Sequence, residues 1–189
     1  TNGYLNDPEG IAYYDFLYVL CNSAPFIQTF SSGYTGNTWS ITAGTGNSQL
    51  KFPYSIAYHN NGVATYFYVA DTYNNRIEEF DYSGNFVRTW GSNGTANGQF
   101  ALPMGVATDS SGNVYVADTN NHRIQKFDTV GNWLLTWGTA GTGNGEFNTP
   151  RSLCIGSVGI YVADSGDSRI QLFDSSGNWL STFGGVGSS

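Results

Sequence analysis

The sequence predicts an all-β chain assembled from four copies of a four-stranded antiparallel unit, and three observations predict it. Tyr-Val-Ala-Asp is written three times, beginning at Tyr68, Tyr115 and Tyr161, a period of 46 to 47 residues, and Arg-Ile follows five positions past each Asp. A fixed period of that size is the mark of a repeated supersecondary unit. Within a copy, segments 104–108, 113–117, 123–127 and 133–137 are rich in β-branched and aromatic residues and are separated by Asp-Ser-Ser-Gly, Asp-Thr-Asn-Asn-His and Thr-Val-Gly-Asn, which reads as four strands and three turns. No stretch sustains a helical period.

Each copy opens at a proline, Pro53, Pro103 or Pro150, and closes on Thr-Trp-Gly or Thr-Phe-Gly at Gly91, Gly138 or Gly184. A fourth, worn copy fits in front. There Pro8, Tyr18-Val19, Ile27 and Phe30 hold the same offsets, but Cys21 replaces the Asp and Phe26 replaces the Arg. The repeats span about 8–52, 53–102, 103–149 and 150–184, so residues 1–189 read as one domain. In the first strand of a copy an Ala recurs at 12, 57 and 107. The second strand, typified by Tyr115-Val116-Ala117, reads as covered on both faces. The third strand alternates, with Ile124 and Phe127 flanking Gln125 and Lys126. The turns carry Gly84, Gly112, Gly131 and Gly177, which supply positive φ without steric cost.

A four-stranded antiparallel unit of this length, repeated and joined by Gly-rich loops, is the sequence form of a β-propeller blade. The segment Val116-Ala117-Asp118-Thr119-Asn120-Asn121-His122-Arg123-Ile124, with Trp137-Gly138 and the run Gly145 to Pro150, resembles the NHL repeat. The resemblance implies a β-propeller of four NHL-like blades, either a closed four-blade ring or a partial propeller. Propellers of this family usually have six blades, and an open array of four leaves two apolar faces without neighbours. All four repeats are complete in the same phase, so closure depends on side-chain packing, a disulfide or a partner.

Two cysteines, Cys21 in repeat one and Cys154 at the recurrent Ala position of repeat four, offer such a disulfide, because repeats one and four are neighbours in a closed ring. Buried thiols are the alternative. Asn93-Gly94-Thr95 is an N-glycosylation acceptor sequence in an expected between-blade loop.

Candidate chemistry is sparse. Asp71, Asp118 and Asp164, with Arg76, Arg123 and Arg169, recur in every clear copy and are therefore read as architectural, an Asx-turn or an Arg–carboxylate tie. The chain has only two histidines, His59 and His122, and both read as turn residues. Metal-dependent lyases and lactone hydrolases occur among similar propellers, but their site residues find no counterparts here, and no nucleophile–base pair, metal-ligand set or phosphate loop is evident. Gly141-Thr142-Gly143 reads as a between-blade loop. No catalytic residue, metal or cofactor is expected. Some NHL propellers bind RNA through a basic face; seven Lys and Arg against 14 Asp and Glu, a net charge of −7, exclude that class here.

Aromatics make up 16% of the chain and charged residues only 11%, so the polar surface is largely Asn, Ser, Thr and Gly. That profile, a start at Thr1 that suggests a processed product or a fragment, and no long apolar stretch favour an extracellular or cell-surface location without a membrane span. The expected function is a non-catalytic scaffold for a protein or glycan partner. The alternatives are a structural subunit whose faces stack with copies of itself in a fibre or surface assembly, and a metal-dependent or lactonase-like enzyme.

Overall fold

The computed structural model describes residues 5, 7–21, 26–30, 36–39 and 41–185. Four meandering sheets of four antiparallel strands follow one another along the chain. Blade one holds β1 (Pro8–Tyr13), β2 (Leu17–Cys21), β3 (Phe26–Phe30) and β4 (Gly36–Thr38). After the short strands β5 (Thr42–Ala43) and β6 (Gln49–Leu50), blade two holds β7 (Ser55–Asn60), β8 (Thr65–Asp71), β9 (Arg76–Asp81) and β10 (Phe86–Trp90). Blade three is β11 (Pro103–Thr108), β12 (Val114–Asp118), β13 (Arg123–Phe127) and β14 (Trp133–Trp137). Blade four is β15 (Pro150–Gly156), β16 (Gly159–Asp164), β17 (Arg169–Phe173) and β18 (Trp179–Gly184). The four-bladed propeller expected from the repeats is the observed architecture, and the strands of blade three fall within a residue or so of their predicted places.

Where two blades meet, the facing surfaces of both sheets are apolar. The inner strand of one blade lies close to that of the next; a Cβ at Gly105 would stand 2.8 Å from the carbonyl oxygen of Arg151, so only glycine permits the approach. Tyr115, Ala117, Ile124 and Trp137 of blade three pack on Leu153, Ile160, Val162 and Phe173 of blade four. Blade two presents Tyr68, Ala70 and Ile77 to Val106, Val114, Val116 and Phe127 in the same way. An aromatic triad marks each interface: Trp90 lies 6.0 Å from both Tyr68 and Phe127, and Trp137 lies 6.3 Å from Tyr115 and 5.9 Å from Phe173. The loops between blades close from beneath with a fully buried plug, Leu50, Phe100 or Phe147.

Two turn types recur. The outer hairpins are Asx-turns: Asp81, Asp128 and Asp174 each accept two backbone N–H bonds through Oδ1, for example from Ser83 and Asn85 at 2.8 and 2.9 Å. The hairpins after β8, β12 and β16 contain a single 3-10 turn that ends on a left-handed residue, Asn75, His122 or Ser168. The Asp before each of these turns makes no side-chain cap, so the Asx role offered for Asp71, Asp118 and Asp164 belongs to the other set.

Three further readings are corrected. Gln125 is not on a solvent face; it is fully buried, because β13, like β12, is covered on both sides. His59 lies inside β7 and not in a turn. No disulfide joins Cys21 and Cys154: Cys21 is buried in β2, whereas Cys154 is exposed on β15. The side chain of Phe26 lies outside the described residues.

Phe127, which is fully buried between Trp90 and Phe100, should cost about 3–5 kcal/mol on truncation to Ala. Val63→Ala, at a position 94% exposed, should stay within about 0.5 kcal/mol. Urea unfolding of the two variants checks both values.

Candidate functional site

A four-stranded meander has two ends, and in this chain they do different work. At one end lie the second hairpin of each blade and the loop that leads into the blade. The repeated Asp and Arg meet there. Arg76 Nε donates to Asp71 Oδ2 at 2.8 Å, Arg123 Nε to Asp118 Oδ2 at 2.7 Å and Arg169 Nε to Asp164 Oδ2 at 2.8 Å. Each Asp also accepts a loop N–H through Oδ1, from Lys51, Ala101 or Asn148, all at 2.7 Å. Each guanidinium spends its remaining donors on loop carbonyls: Thr95, Ala96 and Gln99 for Arg123, and Thr142, Gly143 and Glu146 for Arg169. The Gly141-Thr142-Gly143 step is thus a set of acceptors for Arg169, the reverse of a phosphate cradle. His122 accepts from Thr149 N at 3.4 Å, and the amide of Asn75 does the same work for Leu102.

Gln125 and Gln171 complete the clamp by donating to Gln99 O and Glu146 O and accepting from Gly98 N and Gly145 N. Blade two has Glu78 at this position. Its fully buried carboxyl lies 2.9 Å from Arg76 Nη2, and the acceptors that a glutamine would face are Gln49 O and Asp71. A carboxylate cannot donate to either. Burial pushes the Glu78 pKa up to about 8; Arg76 opposes the shift and Asp71 adds to it.

At the opposite end lie the first hairpins, which differ between repeats, and the outer hairpins, which recur as Asx-turns, and two adjoining hollows open there. The larger, about 630 Å³, lies between blades one and two and is lined by Tyr14, Asp15, Asn60, Tyr66, Asp81 and Tyr82, among others. Tyr82 Oη donates to Asp15 Oδ2 at 2.6 Å, and Asn60 Nδ2 donates to Tyr14 Oη at 2.8 Å and to Thr65 Oγ1 at 2.7 Å. Tyr14 packs on Tyr58 with ring centroids 5.3 Å apart. Two phenol rings, Tyr14 and Tyr82, are therefore fixed in orientation around a polar floor.

The smaller hollow, about 260 Å³, lies between blades two and three and shares Tyr66 with the first; it also takes in His59, Tyr68, Glu79 and Arg88. By strand register, Tyr68, Glu79 and Arg88 correspond to Tyr115, Lys126 and Leu135 in blade three and to Tyr161, Leu172 and Ser181 in blade four. His59, Glu79 and Arg88 are thus particular to blade two. Arg88 Nε pairs with Glu79 Oε2 at 2.9 Å. Burial raises the Glu79 pKa to about 7 against the pull of Arg88. His59 packs so closely on the next blade that a Cβ at Gly112 would lie 2.8 Å from its ring. Sequence reading passed over this cluster, although the signal was available: these are polar residues at positions where the other copies differ.

Chemically, the larger hollow can hydrogen-bond and stack, and the smaller adds a carboxyl that exchanges its proton near neutrality. Among the described residues no group of three His, Cys, Asp or Glu could hold a metal ion. No helix of the described chain is long and apolar enough to cross a membrane. Asn93, in the Asn-Gly-Thr sequence, is exposed in the loop before blade three.

Comparison with known proteins follows this geometry. Residues 100–127 match the NHL repeat, the stretch from the loop plug Phe100 through the clamp to Phe127. No curated protein matches the chain in sequence. Among solved structures the chain is similar to a streptogramin B lyase (TM-score 0.71, 13% identity, 95% of this chain and 55% of that one). It is also similar to virginiamycin B lyase from Staphylococcus aureus (TM-score 0.70, 13% identity, 93% and 55%). A third likeness is to a structure of a nidogen/laminin complex (TM-score 0.58, 20% identity, 93% and 79%). The chain spans about half the length of the lyases it matches. At these identities the likeness carries the fold.

Removing one partner of the buried clamp strands the other charge. Asp118→Ala should cost about 3–5 kcal/mol, read by chemical unfolding. Glu78 gives a pH signature. The folded chain holds its proton more tightly than the unfolded chain, so its contribution to stability is full below about pH 4.5 and declines as pH rises to about 8. Glu78→Gln should therefore raise stability by about 2 kcal/mol near pH 9 and leave it nearly unchanged near pH 4; melting curves across that range check the sign.

Proposed function

Starting from a β-propeller built of NHL repeats, we propose that this chain is a non-catalytic recognition module, working outside the cell, whose ligand is a protein segment or glycan seated in the tyrosine-lined hollow of blades one and two. The observation that carries the reading is that hollow itself. Its volume of about 630 Å³ falls in the usual range of ligand pockets, about 300–1,000 Å³. Its tyrosines offer flat apolar faces with hydroxyl groups already oriented by Asp15 and Asn60, a combination suited to sugar rings and to polar peptide side chains alike. It is built partly on the first hairpins, which vary between repeats while the opposite end stays constant, and recognition is commonly carried by such loops on a rigid frame. Low charge content and the exposed Asn93 acceptor are in keeping with an extracellular setting. One structural neighbour was solved as part of a nidogen/laminin complex, which gives protein binding a precedent on this fold.

One observation favours a second reading, an enzyme acting at the smaller hollow. Glu79, with a pKa near 7, stands beside Arg88 and near His59, and two of the structural neighbours are lyases. The carboxyl is, however, already held by Arg88, and the described residues provide no metal-ligand group. Binding is therefore the better supported role.

Tyrosine fluorescence titrated with a panel of oligosaccharides and polar peptides should show saturable binding, and Tyr82→Ala should weaken it roughly tenfold without a change in melting temperature. Equal affinity in the variant would move the ligand away from this hollow; turnover of a streptogramin by the purified chain would overturn the non-catalytic reading.

A further inference from the structure

On the face of blade two that lines the smaller hollow, three residues stand in one cross-strand row, Tyr68 opposite Glu79 and Glu79 opposite Arg88. His59 and Tyr66 are the pair beside that row on the same face. Two of these side chains carry donors that the protein leaves unused. Arg88 turns Nε to Glu79, and among the described residues nothing accepts from its Nη1 or Nη2. Arg76, Arg123 and Arg169, by contrast, commit both Nη atoms to loop carbonyls. The Arg88 side chain lines the hollow and is 37% exposed.

The second unused donor is the Tyr68 hydroxyl. Its counterparts are matched: Tyr18 donates to Asp15 and Tyr115 to Asp109. Two positions past the Ala that pairs with this tyrosine, blade three has Asp109 and blade two has His59. Among the described residues none hydrogen-bonds the Tyr68 hydroxyl, although Tyr68 is 1% exposed and lines the hollow. A buried polar group without a partner is costly, and a group entering the hollow would supply one.

We propose that the smaller hollow is a carboxylate subsite and that the ligand is a sugar acid, its ring against Tyr66 and its carboxylate received by Arg88 Nη1 and Nη2 and by the Tyr68 hydroxyl. The subsite rests on the binding role of the tyrosine-lined hollow, which it adjoins through Tyr66. A volume of about 260 Å³ suits one substituent and not a whole ligand. The planar guanidinium fork matches a carboxylate. A uronate carries that group directly on its ring, whereas an acidic amino-acid side chain would lose rotamer freedom to reach the same place. Glu79 is the group that opposes the anion. Facing it are His59 on β7, Tyr66 and Tyr68 on β8 and Arg88 on β10, while Ser111, Thr129 and Val130 of blade three bring no charge. Burial holds the Glu79 pKa at about 7 against the pull of Arg88, so its protonation releases Arg88 to a bound anion. A proton gained by His59 acts with the same sign.

Calorimetric titration of the chain with glucuronate and galacturonate, set against glucose and galactose, tests the subsite. The uronates should bind at least about tenfold more tightly than the neutral sugars, and their affinity should fall from pH 6 to pH 8. Arg88→Gln should erase the preference and Tyr68→Phe should reduce it roughly threefold, with neutral-sugar affinity and the circular dichroism spectrum retained. Glu79→Gln should tighten uronate binding at pH 8, a gain that damage to the fold cannot produce. Uronates bound no better than neutral sugars, a preference that survives Arg88→Gln, or tighter binding of N-acetylglutamate amide than of either uronate overturns the proposal. Tyr82→Ala separates the two readings, because it should weaken neutral and acidic sugars alike and leave the preference intact. Loss of the preference with Tyr82-dependent sugar binding retained removes the carboxylate subsite alone; sugar binding indifferent to Tyr82 removes the larger hollow as the seat.

Discussion

The buried Asp–Arg clamp is the interaction on which the rest of the structure depends. A carboxylate in a dry interior is costly unless every lone pair and every nearby charge is matched. Asp118 meets that demand with the Ala101 N–H, the Asn121 amide and Arg123. Arg123 in turn satisfies three carbonyls of the loop entering its blade. The loop can then turn sharply beneath the sheets and deliver Phe100 into the core next to Phe127. Without the clamp those carbonyls would need water, and the plug that seals the interface would lose its support. The ion pair is thus less a source of net stability than the anchor that holds an otherwise exposed loop against the sheets.

That commitment leaves one end of each blade fixed and the other free. Blade two shows the freedom most clearly. It places His59, Glu79 and Arg88 where its neighbours have other residues, and its first and outer hairpins supply Asn60, Tyr66 and Tyr82 to the hollow beside blade one. It also departs at the fixed end, where Glu78 stands in for a glutamine and makes that clamp sensitive to pH.

Much of this was legible in the sequence, for a physical reason. Periodicity reports what every blade needs, so strand positions, turn glycines and the architectural role of Asp118 and Arg123 could be read by superposing the copies. Burial of Gln125 could not, because a polar residue beside Lys126 looks solvent-facing until the loop that feeds it two hydrogen bonds is in place. The position of His59 was hidden by the Asn60-Asn61-Gly62 turn that follows it, although its strand extends to Asn60. The hollows were invisible for a further reason: they lie between blades, and their walls come from residues about 50 positions apart that no local pattern links.

The clamp addresses main-chain oxygens and not side chains. Arg76, Arg123 and Arg169 accept Thr-Gly, Thr-Ala and Thr-Gly alike in the loops they hold, because a carbonyl is common to every residue. A duplicated blade can therefore be transplanted into a new neighbourhood and be gripped at once, before any compensating substitution has occurred. Growth or shortening of such an array by recombination then meets little resistance at the joints, and drift is left to act on the hairpins at the far end.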